Sequence, residues 1–260
     1  MANQESIIEL LYLVREELQL RLTEYEWPKK YQLDCFDYEV RFKYIGFICI
    51  GRGLDKVESV AIEKAASEAI ERLISQMDGI DTVGISVGIT YDFETHAKHE
   101  VLERHYLNHH LKNKINFTES NFVPDALSDF RKNNAGFKIQ VFRMQSPDKM
   151  YGFGCLLTSN SLRSVGFALG SSESEVVSKA FFEALPNLEW LSDELPREID
   201  KPWHLKDDFL NQLEALIIFE EFPRELIDRP CLEQVKISTG LIPFLRDSKV
   251  NVCRYTVAIK

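Results

Sequence analysis

Two segments of the chain carry the acidic pattern E-x-x-E-R, whose spacing places the charged side chains on one face of a helix. Carboxylate oxygens on rigid helices suit Mg²⁺, which bridges protein carboxylates to phosphates, and arginine suits phosphate oxygens. Each pattern taken alone is most simply a solvated helix face, and only the repetition favours a site. The candidate metal ligands are Glu68, Glu71, Glu100 and Glu103, and the arginines beside them are Arg72 and Arg104.

Similar glycine-containing segments precede these helices, and a third copy follows. Two copies have the form G-x-small-x-G, and a glutamate follows the last glycine by 12 and 13 residues, whereas the remaining copy is looser, with a distance of 15. The sequence therefore predicts three units of strand, glycine turn and helix, each presenting an acidic residue at a similar depth. The copies are Gly51-Arg-Gly53 with Glu68, Gly84-Ile-Ser-Val-Gly88 with Glu100, and Gly166-Phe-Ala-Leu-Gly170 with Glu183.

Three other patterns are weaker evidence for a functional site. No G-K-[ST] follows the glycine pairs, so close packing of a strand on a helix is favoured over a phosphate cradle. His105, His109 and His110 are near one another, but no further ligand pattern accompanies them. Ser86 fits the letters of a G-x-S-x-G nucleophile elbow, but we expect it inside a strand rather than on a sharp turn.

Hydrophobic spacing predicts the elements that must position these residues. Pro186 falls inside the helix of the third copy, where it predicts a kink or an end. Residues 112–134 are expected to be polar and rich in turns, and a hairpin is expected to turn at 146–148. Helices are expected over 5–26 (ended by Pro28), 58–77, 93–111, 173–190 and 207–219, and strands over 38–50, 80–89, 137–144, 151–158, 162–169 and 250–259.

The composition is that of a globular chain of 260 residues, 45% of them hydrophobic. The formal charge of -10 comes without a basic cluster in the sequence, which argues against a nucleic-acid partner. No apolar run approaches the roughly 20 residues of a membrane span, and the N-terminus lacks the form of a signal peptide. Five scattered cysteines without a C-x-x-C pair fit a reducing compartment. We therefore expect a cytoplasmic protein and leave homo-oligomerisation open.

The ordered set of motifs resembles the YcaO family over roughly residues 34 to 260. Any one block is weak, and the order of the blocks carries the resemblance. The blocks are Gly51-Arg-Gly-Leu54, Ser67-Glu-Ala-Ile-Glu-Arg72, Gly84-Ile-Ser-Val-Gly88, His99-Glu-Val-Leu-Glu-Arg104, Gly166-Phe-Ala-Leu-Gly170 and Phe182-Glu-Ala184.

The resemblance implies a YcaO-like α+β fold, in which repeated strand, glycine-turn and helix units form a mixed β-sheet with packed helices. It also implies an ATP-dependent, cyclodehydratase-like enzyme of ribosomal-peptide modification. Such an enzyme phosphorylates a peptide-backbone amide oxygen and then loses phosphate, giving azolines, thioamides or amidines. The expected partners are a precursor peptide and a companion modification protein. By resemblance, Mg²⁺ is held by Glu68, Glu71, Glu100 and Glu103, and ATP is contacted by Arg72, Asp92, Arg104 and Glu183.

Three positions depart from the family's pattern. Lys64 stands where a serine is usual, His105 replaces the aspartate that commonly follows the second motif, and Pro186 interrupts the third. Family members usually extend further at both ends, so we expect a shortened, diverged member. The alternative is a catalytically inactive YcaO-like scaffold that binds a peptide or a partner enzyme. We expect a single domain over 1–260, with an N-terminal helix in 1–30, a repeated core over 34–200, and a C-terminal helix and strand in 201–260.

Overall fold

The N-terminal segment forms short elements rather than the single helix predicted for 5–26. They are α1 (Ile7–Leu13), α2 (Arg15–Leu18), β1 (Arg21–Glu24) and α3 (Trp27–Lys30). Gln19 adopts φ +51°, a left-handed conformation that ends α2, and Leu22 continues in a strand. The prediction was wrong because apolar residues at 18, 20 and 22 fit the alternation of extended chain as well as helical spacing. Pro28 lies in the first turn of a helix instead of ending one.

The structure is a computed structural model. It describes residues 6–80, 83–88, 92–146, 149–160, 162–194, 201–218, 230–235, 237, 242, 245 and 250–258.

A long hairpin and the helix after it form the first sheet and its cover. β2 (Phe36–Tyr44) and β3 (Phe47–Asp55) are antiparallel, with Phe36 opposite Asp55 and Tyr44 opposite Phe47, and β1 pairs with β2. α4 (Glu58–Asp78) packs on this sheet. The predicted strands and helix in this region are confirmed. The buried face of α4 comprises Ala61, Ala65, Ala66, Ala69, Ile70, Leu73 and Ile74.

Glycine inside β3 lets α4 approach the strand closely. A Cβ at Gly51 would lie 2.1 Å from the Ala65 carbonyl oxygen and 2.3 Å from the Ala69 nitrogen. Both are backbone atoms, so no side chain could rotate to make room. The expected close packing of strand and helix is confirmed. The predicted glycine turn is wrong, because Gly51 and Gly53 lie within the strand.

A second sheet is antiparallel and brings the C-terminal strand beside the second copy of the repeat. Its order is β10–β11–β4, made of β4 (Ile85–Gly88), β10 (Leu232–Gln234) and β11 (Asn251–Val257). In α5 (Asp92–Asn113), Ala97 packs with Cys253 and Tyr255 of β11. Ser86 is buried in β4 opposite Cys253, so it lies within a strand as expected.

The third sheet contains the last copy of the repeat. Its elements are β5 (Phe117–Glu119), α6 (Asp125–Asn133), β6 (Phe137–Met144), β7 (Tyr151–Ser159), β8 (Leu162–Gly170), α7 (Glu173–Glu194), α8 (Asp207–Leu216) and β9 (Ile217–Ile218). The strand order is β8–β7–β6–β5–β9, and the β5–β9 pair is parallel. The hairpin of β6 and β7 is confirmed, although its predicted turn lies partly outside the described residues. The segment predicted to be turn-rich holds β5 and α6.

The helix α7 runs through Pro186 without ending there, so the predicted end is wrong, and the alternative of a kink stays a prediction. Leu185 and Leu188, on either side of the proline, are buried. Asn187 Nδ2 donates a hydrogen bond to the Glu183 carbonyl oxygen at 3.0 Å. Burial of the apolar face on both sides thus offsets the backbone donor that proline lacks.

The chain divides into two compact units. The first unit is Met1–Val101 with Cys231–Lys260, and the second unit is Leu102–Pro230. The α+β class is confirmed, and the described strands are distributed over three sheets. The single domain over 1–260 stays a prediction. Within the described ranges, no helix has the length and hydropathy needed to cross a membrane.

Candidate functional site

Three helices each anchor one glutamate carboxylate on a backbone amide that lies in a strand or, at Gly84, directly before one. Each carboxylate accepts a hydrogen bond from the backbone N–H 16 residues earlier in the chain. Such a bond fixes the carboxylate in place. The pairs are Arg52 N with Glu68 Oε2 at 2.6 Å, Gly84 N with Glu100 Oε2 at 3.0 Å, and Phe167 N with Glu183 Oε2 at 3.0 Å.

This register corrects the alignment of the copies by one residue. The glycine pattern matches Gly84 with Gly166, whereas the hydrogen bonds match Gly84 with Phe167. The first and third copies agree in their packing as well. A Cβ at Gly166 would lie 2.2 Å from the Ala180 carbonyl oxygen and 2.7 Å from the Ala184 nitrogen, the same kinds of contact as in the first copy.

Glu71 joins the helix of the first copy to the strand of the second. Its Oε1 accepts the Val87 amide at 3.0 Å. The residue is partly accessible, but its carboxyl is enclosed by protein, and this burial is the largest cause that raises the pKa of Glu71 to about 8. The charges of Glu100 and Glu68 act in the same direction. Glu71 therefore lies near enough to two other predicted metal ligands, Glu68 and Glu100, for each to repel its charge.

Glu68 is held at both carboxylate oxygens. Oε2 accepts the Arg52 amide, and Oε1 accepts Arg72 Nη2 at 2.5 Å. Arg72 lies one turn further along α4, so the arginine of this motif pairs with its first glutamate. Glu68 therefore acts as an anchor in this conformation.

The structure adds a buried ion pair that the motifs did not indicate. Asp37 is fully buried and accepts hydrogen bonds from Trp27 Nε1 and from Arg52 Nε, the latter at 3.0 Å to Oδ1. The Arg52 guanidinium also lies 4.4 Å from the Tyr25 ring centroid. Since the Arg52 amide holds Glu68, both the backbone and the side chain of Arg52 are fixed beside the anchor. The only signal in the sequence was an aspartate at the start of an apolar strand.

Lys64, at the position where the family usually has serine, is also paired. Its Nζ lies 2.6 Å from Asp55 Oδ2 and 3.4 Å from the Leu54 carbonyl oxygen. This pairing is the largest cause that lowers the pKa of Asp55, although burial opposes it. The ammonium group is thus directed towards the end of β3.

Glu103 and Arg104 lie in the second unit. Glu103 is only 6% exposed, and its Oε1 is 3.8 Å from Arg104 Nε. Burial, with the Arg104 charge as a second cause, lowers the pKa of His204 to about 4. In this copy of E-x-x-E-R the arginine pairs with the second glutamate, whereas in α4 it pairs with the first.

The remaining predicted cofactor residues are Asp92 and Glu183. Asp92 is the first residue of α5, and its side chain lies outside the described part of the structure. Glu183 is in the second unit, anchored on β8 as described above. Where the other copies have a second glutamate and an arginine, α7 has Pro186 and Asn187.

His110 is a structural residue rather than a metal ligand. It is fully buried, its Nε2 accepts the Gln145 amide at 2.9 Å, and its Nδ1 therefore donates to the Ile115 carbonyl oxygen at 3.1 Å. The ring stacks on Phe117 with centroids 4.4 Å apart. Burial lowers the pKa of His110 to about 4. Both ring nitrogens are engaged, which removes His110 from the histidine group.

The chemistry of the donor set around Glu71 fits Mg²⁺. The set consists of carboxylate oxygens whose mutual repulsion a divalent cation would offset. In the described ranges, no group of three or more His, Cys, Asp or Glu side chains already surrounds one point. Mg²⁺ characteristically uses one or two carboxylates and completes its shell with phosphate oxygens and water, so two of these glutamates suffice.

No family model and no curated protein matches this sequence. Solved structures do match. One is the structure of YcaO from Methanopyrus kandleri bound with AMPPCP and Mg²⁺, with a TM-score of 0.66 at 12% identity, covering 96% of this chain and 90% of that one. Another is a heterocyclase in complex with substrate and cofactor, with a TM-score of 0.66 at 10% identity. That match covers 97% of this chain and 52% of the heterocyclase, about half its length.

At these identities the likeness establishes the fold. The chain has the YcaO fold, as the ordered motifs predicted.

Proposed function

We propose that this protein uses ATP and Mg²⁺ to activate a peptide-backbone amide by O-phosphorylation, in a ribosomal-peptide modification system, as the enzyme or as one of its subunits. The observation that carries the proposal is the cluster of Glu68, Glu71 and Glu100, in which Glu68 and Glu100 are anchored in matched register and the charges of both act on Glu71. The proposal is also supported by the fold. This protein shares it with a YcaO structure bound with AMPPCP and Mg²⁺ and with a heterocyclase in complex with substrate and cofactor.

Within this proposal the side chains divide the work of binding. Glu71 and Glu100 hold the metal, with Glu103 as a further ligand, and Glu68 positions the α4 face on which Glu71 lies. Mg²⁺, when bound, neutralises charge on the phosphates during phosphoryl transfer. By the resemblance, Arg72 and Arg104 hold phosphate oxygens, and Asp92 and Glu183 are the other residues assigned to the cofactor.

The proposal includes partners and a compartment. The substrate is a precursor peptide, a companion modification protein assists, and the protein works in the cytoplasm. The product, whether azoline, thioamide or amidine, depends on the nucleophile that attacks the activated amide. Attack forms a new bond to the amide carbon, and the phosphorylated oxygen then leaves as phosphate.

A catalytically inactive scaffold is the second candidate. Both oxygens of Glu68 are engaged by Arg52 and Arg72, and Lys64 is paired with Asp55. A protein that had lost nucleotide chemistry could keep such pairs for stability alone. It would bind a peptide or a partner enzyme without modifying it.

Isotope transfer tests the proposal directly. The protein is incubated with ATP, Mg²⁺ and a short peptide encoded beside its gene, with the reacting amide labelled with ¹⁸O. We expect a modified peptide and ¹⁸O in the released phosphate, both lost in Glu71→Gln and kept in Glu63→Gln. Unmodified peptide that binds without ¹⁸O transfer supports the scaffold, and ATP cleavage that leaves ¹⁸O in the peptide contradicts amide phosphorylation.

A further inference from the structure

Strand register brings three unpaired cations together on the outer face of the first sheet. Arg21 on β1 lies directly opposite Arg41 on β2, and Lys43 follows two residues along β2. All three side chains are exposed. Within the described ranges none of them makes an ion pair or a side-chain hydrogen bond. Like charges directly opposite each other destabilise an antiparallel pair, so this arrangement costs the fold stability.

Isoleucines lie beside these cations on the same face. In the β2–β3 register Ile50 is opposite Arg41, and Ile48, which is 50% exposed, is opposite Lys43. Ile45 at the tip of the hairpin is 71% exposed and adopts φ +45°. A β-branched residue rarely takes this left-handed conformation, and glycine or asparagine would take it with less strain. Strained positions of this kind are enriched at functional sites.

The carboxylates that share this face are already engaged. Glu39 accepts the Tyr25 hydroxyl at 2.7 Å, and Asp37 is buried against Arg52. The cations are therefore not neutralised locally, although the chain as a whole carries a formal charge of -10. The cluster is absent from the linear sequence, because its members are separated along the chain and meet only through strand pairing.

We propose that this face, here called the basic strip (Arg21, Arg41 and Lys43 with Ile45, Ile48 and Ile50), binds an acidic extended segment of a partner polypeptide. Side chains of an extended segment alternate between two faces about every two residues. A segment in which carboxylates and apolar residues are interspersed can place its acids on the cations and its apolar side chains on the isoleucines. The match is one of charge and of apolar surface together.

Charge argues against two other occupants. A second copy packed by a two-fold axis would place the same patch on both sides, so cations would face cations. An anionic membrane would repel a chain of this net charge, and three cations are few for stable binding. An acidic polypeptide has neither disadvantage.

Binding of defined peptides tests the proposal. The probe is a fluorescent synthetic peptide in which glutamate alternates with leucine, and its counterpart has lysine in place of glutamate. Fluorescence anisotropy should show saturable binding of the glutamate peptide only, weakening as salt is raised. The double variant Arg21→Glu with Arg41→Glu should weaken binding roughly tenfold or more. The control Lys138→Glu changes an exposed strand lysine of the second unit and should leave the affinity unchanged.

Thermal unfolding separates binding from folding. Arg41→Glu alone creates an opposite-charge pair with Arg21, so its unfolding midpoint should rise while peptide affinity falls. A misfolded variant would lose both. Equal binding of both peptides would overturn the proposal, as would an equal loss of affinity for the glutamate peptide in Lys138→Glu. Binding of anionic vesicles but not of the peptide, or self-association of the protein that the double variant abolishes, would also overturn it.

The nucleotide proposal is tested separately. The basic strip contains no residue of the carboxylate cluster, so peptide binding in the absence of ATP and Mg²⁺ can succeed or fail independently.

Discussion

The strand and helix pair β3–α4 and the pair β8–α7 have the same packing but different charge. In both, a glycine in the strand admits the helix backbone, and a glutamate of the helix accepts a strand amide. In α4 the next two positions of the motif are Glu71 and Arg72, whereas α7 has Pro186 and Asn187 there. The features common to both copies belong to the fold. The features confined to one copy are candidates for chemistry.

This difference separates two kinds of glutamate. Glu68 and Glu183 are anchors, because Oε2 of each carboxylate accepts a hydrogen bond from a strand amide. Glu71 is instead a carboxyl with a raised pKa beside other acids, an arrangement that costs stability unless a cation binds. Buried groups that disfavour their own charged state are frequent at functional sites.

The largest effect should come from filling the shared glycine positions. Gly51→Ala and Gly166→Ala each place a methyl group against helix backbone, so each should lower the free energy of unfolding by roughly 3 kcal/mol or prevent folding. Urea unfolding measures this loss. If one of these alanine variants unfolds at the same urea concentration as the wild type, the strand and the helix of that copy do not pack as closely as described.

The matched control is Gly136→Ala. A Cβ there has no atom within 4 Å, so the change should stay within about 0.5 kcal/mol.

The two units should also respond to pH in opposite directions. The pKa of His110 is about 4 in the folded protein and roughly 6.5 in the unfolded protein. Its contribution to the free energy of unfolding is therefore fully present above pH 6.5 and is lost as the pH falls towards 4. The full loss is roughly 3 kcal/mol. The raised pKa of Glu71 acts in reverse, with stability lost as the pH rises from about 4.5 to about 8.

Hydrogen exchange at single amides measures this contrast. After correction for intrinsic rates, protection of the Gln145 amide should fall in acid and protection of the Val87 amide should fall in mild alkali. His110→Phe should remove the acid dependence at Gln145. The same pH dependence at both amides would contradict the assignment of these two groups.

Removing the anchors should have a similar effect in both copies. Glu68→Ala and Glu183→Ala each leave a strand N–H without its acceptor, which should cost roughly 1–3 kcal/mol. The glutamine variants keep an acceptor and should lose less. If glutamine destabilises as much as alanine, the charge matters more than the hydrogen bond.

The smallest effect on stability is expected at the residue after the second glutamate. The Arg72–Glu68 pair is partly exposed, so Arg72→Ala should change the free energy of unfolding by only about 0.5 kcal/mol. The affinity of the Arg72→Ala variant for Mg²⁺ and nucleotide should nonetheless fall, whereas the Asn187→Ala variant should keep the affinity of the wild type. Equal nucleotide affinity in both variants would remove the proposed difference between the copies.

Long periodic segments of the sequence predicted their elements well. The helix α4 and the β2–β3 and β6–β7 pairs follow from sustained apolar spacing and turn residues. The N-terminal segment did not, because a left-handed residue at Gln19 interrupts a pattern that also fits a helix. Pro186 does not end α7, since burial along the helix outweighs one missing backbone donor, whereas the kink that proline also predicts stays a prediction.

The candidate site was predictable in its residue types but not in its pairings. The shared E-x-x-E-R pattern indicated which helix faces matter. It could not show that Arg72 pairs with the first glutamate of its motif while Arg104 pairs with the second. These choices depend on side-chain conformation and on strand register, as does the pairing of Arg52 with buried Asp37.

The most direct test is calorimetry with a non-hydrolysable ATP analogue and Mg²⁺ on wild type, Glu71→Gln and Glu63→Gln. Glu63 is a matched control because it lies on the same helix and its carboxylate also accepts backbone amides, those of Ile7 and Ile8. Wild type and Glu63→Gln should bind with the same Mg²⁺ dependence, and Glu71→Gln should bind at least roughly tenfold more weakly. Absence of binding by the wild type, or equal binding by Glu71→Gln and Glu63→Gln, would contradict a metal and nucleotide site at this cluster.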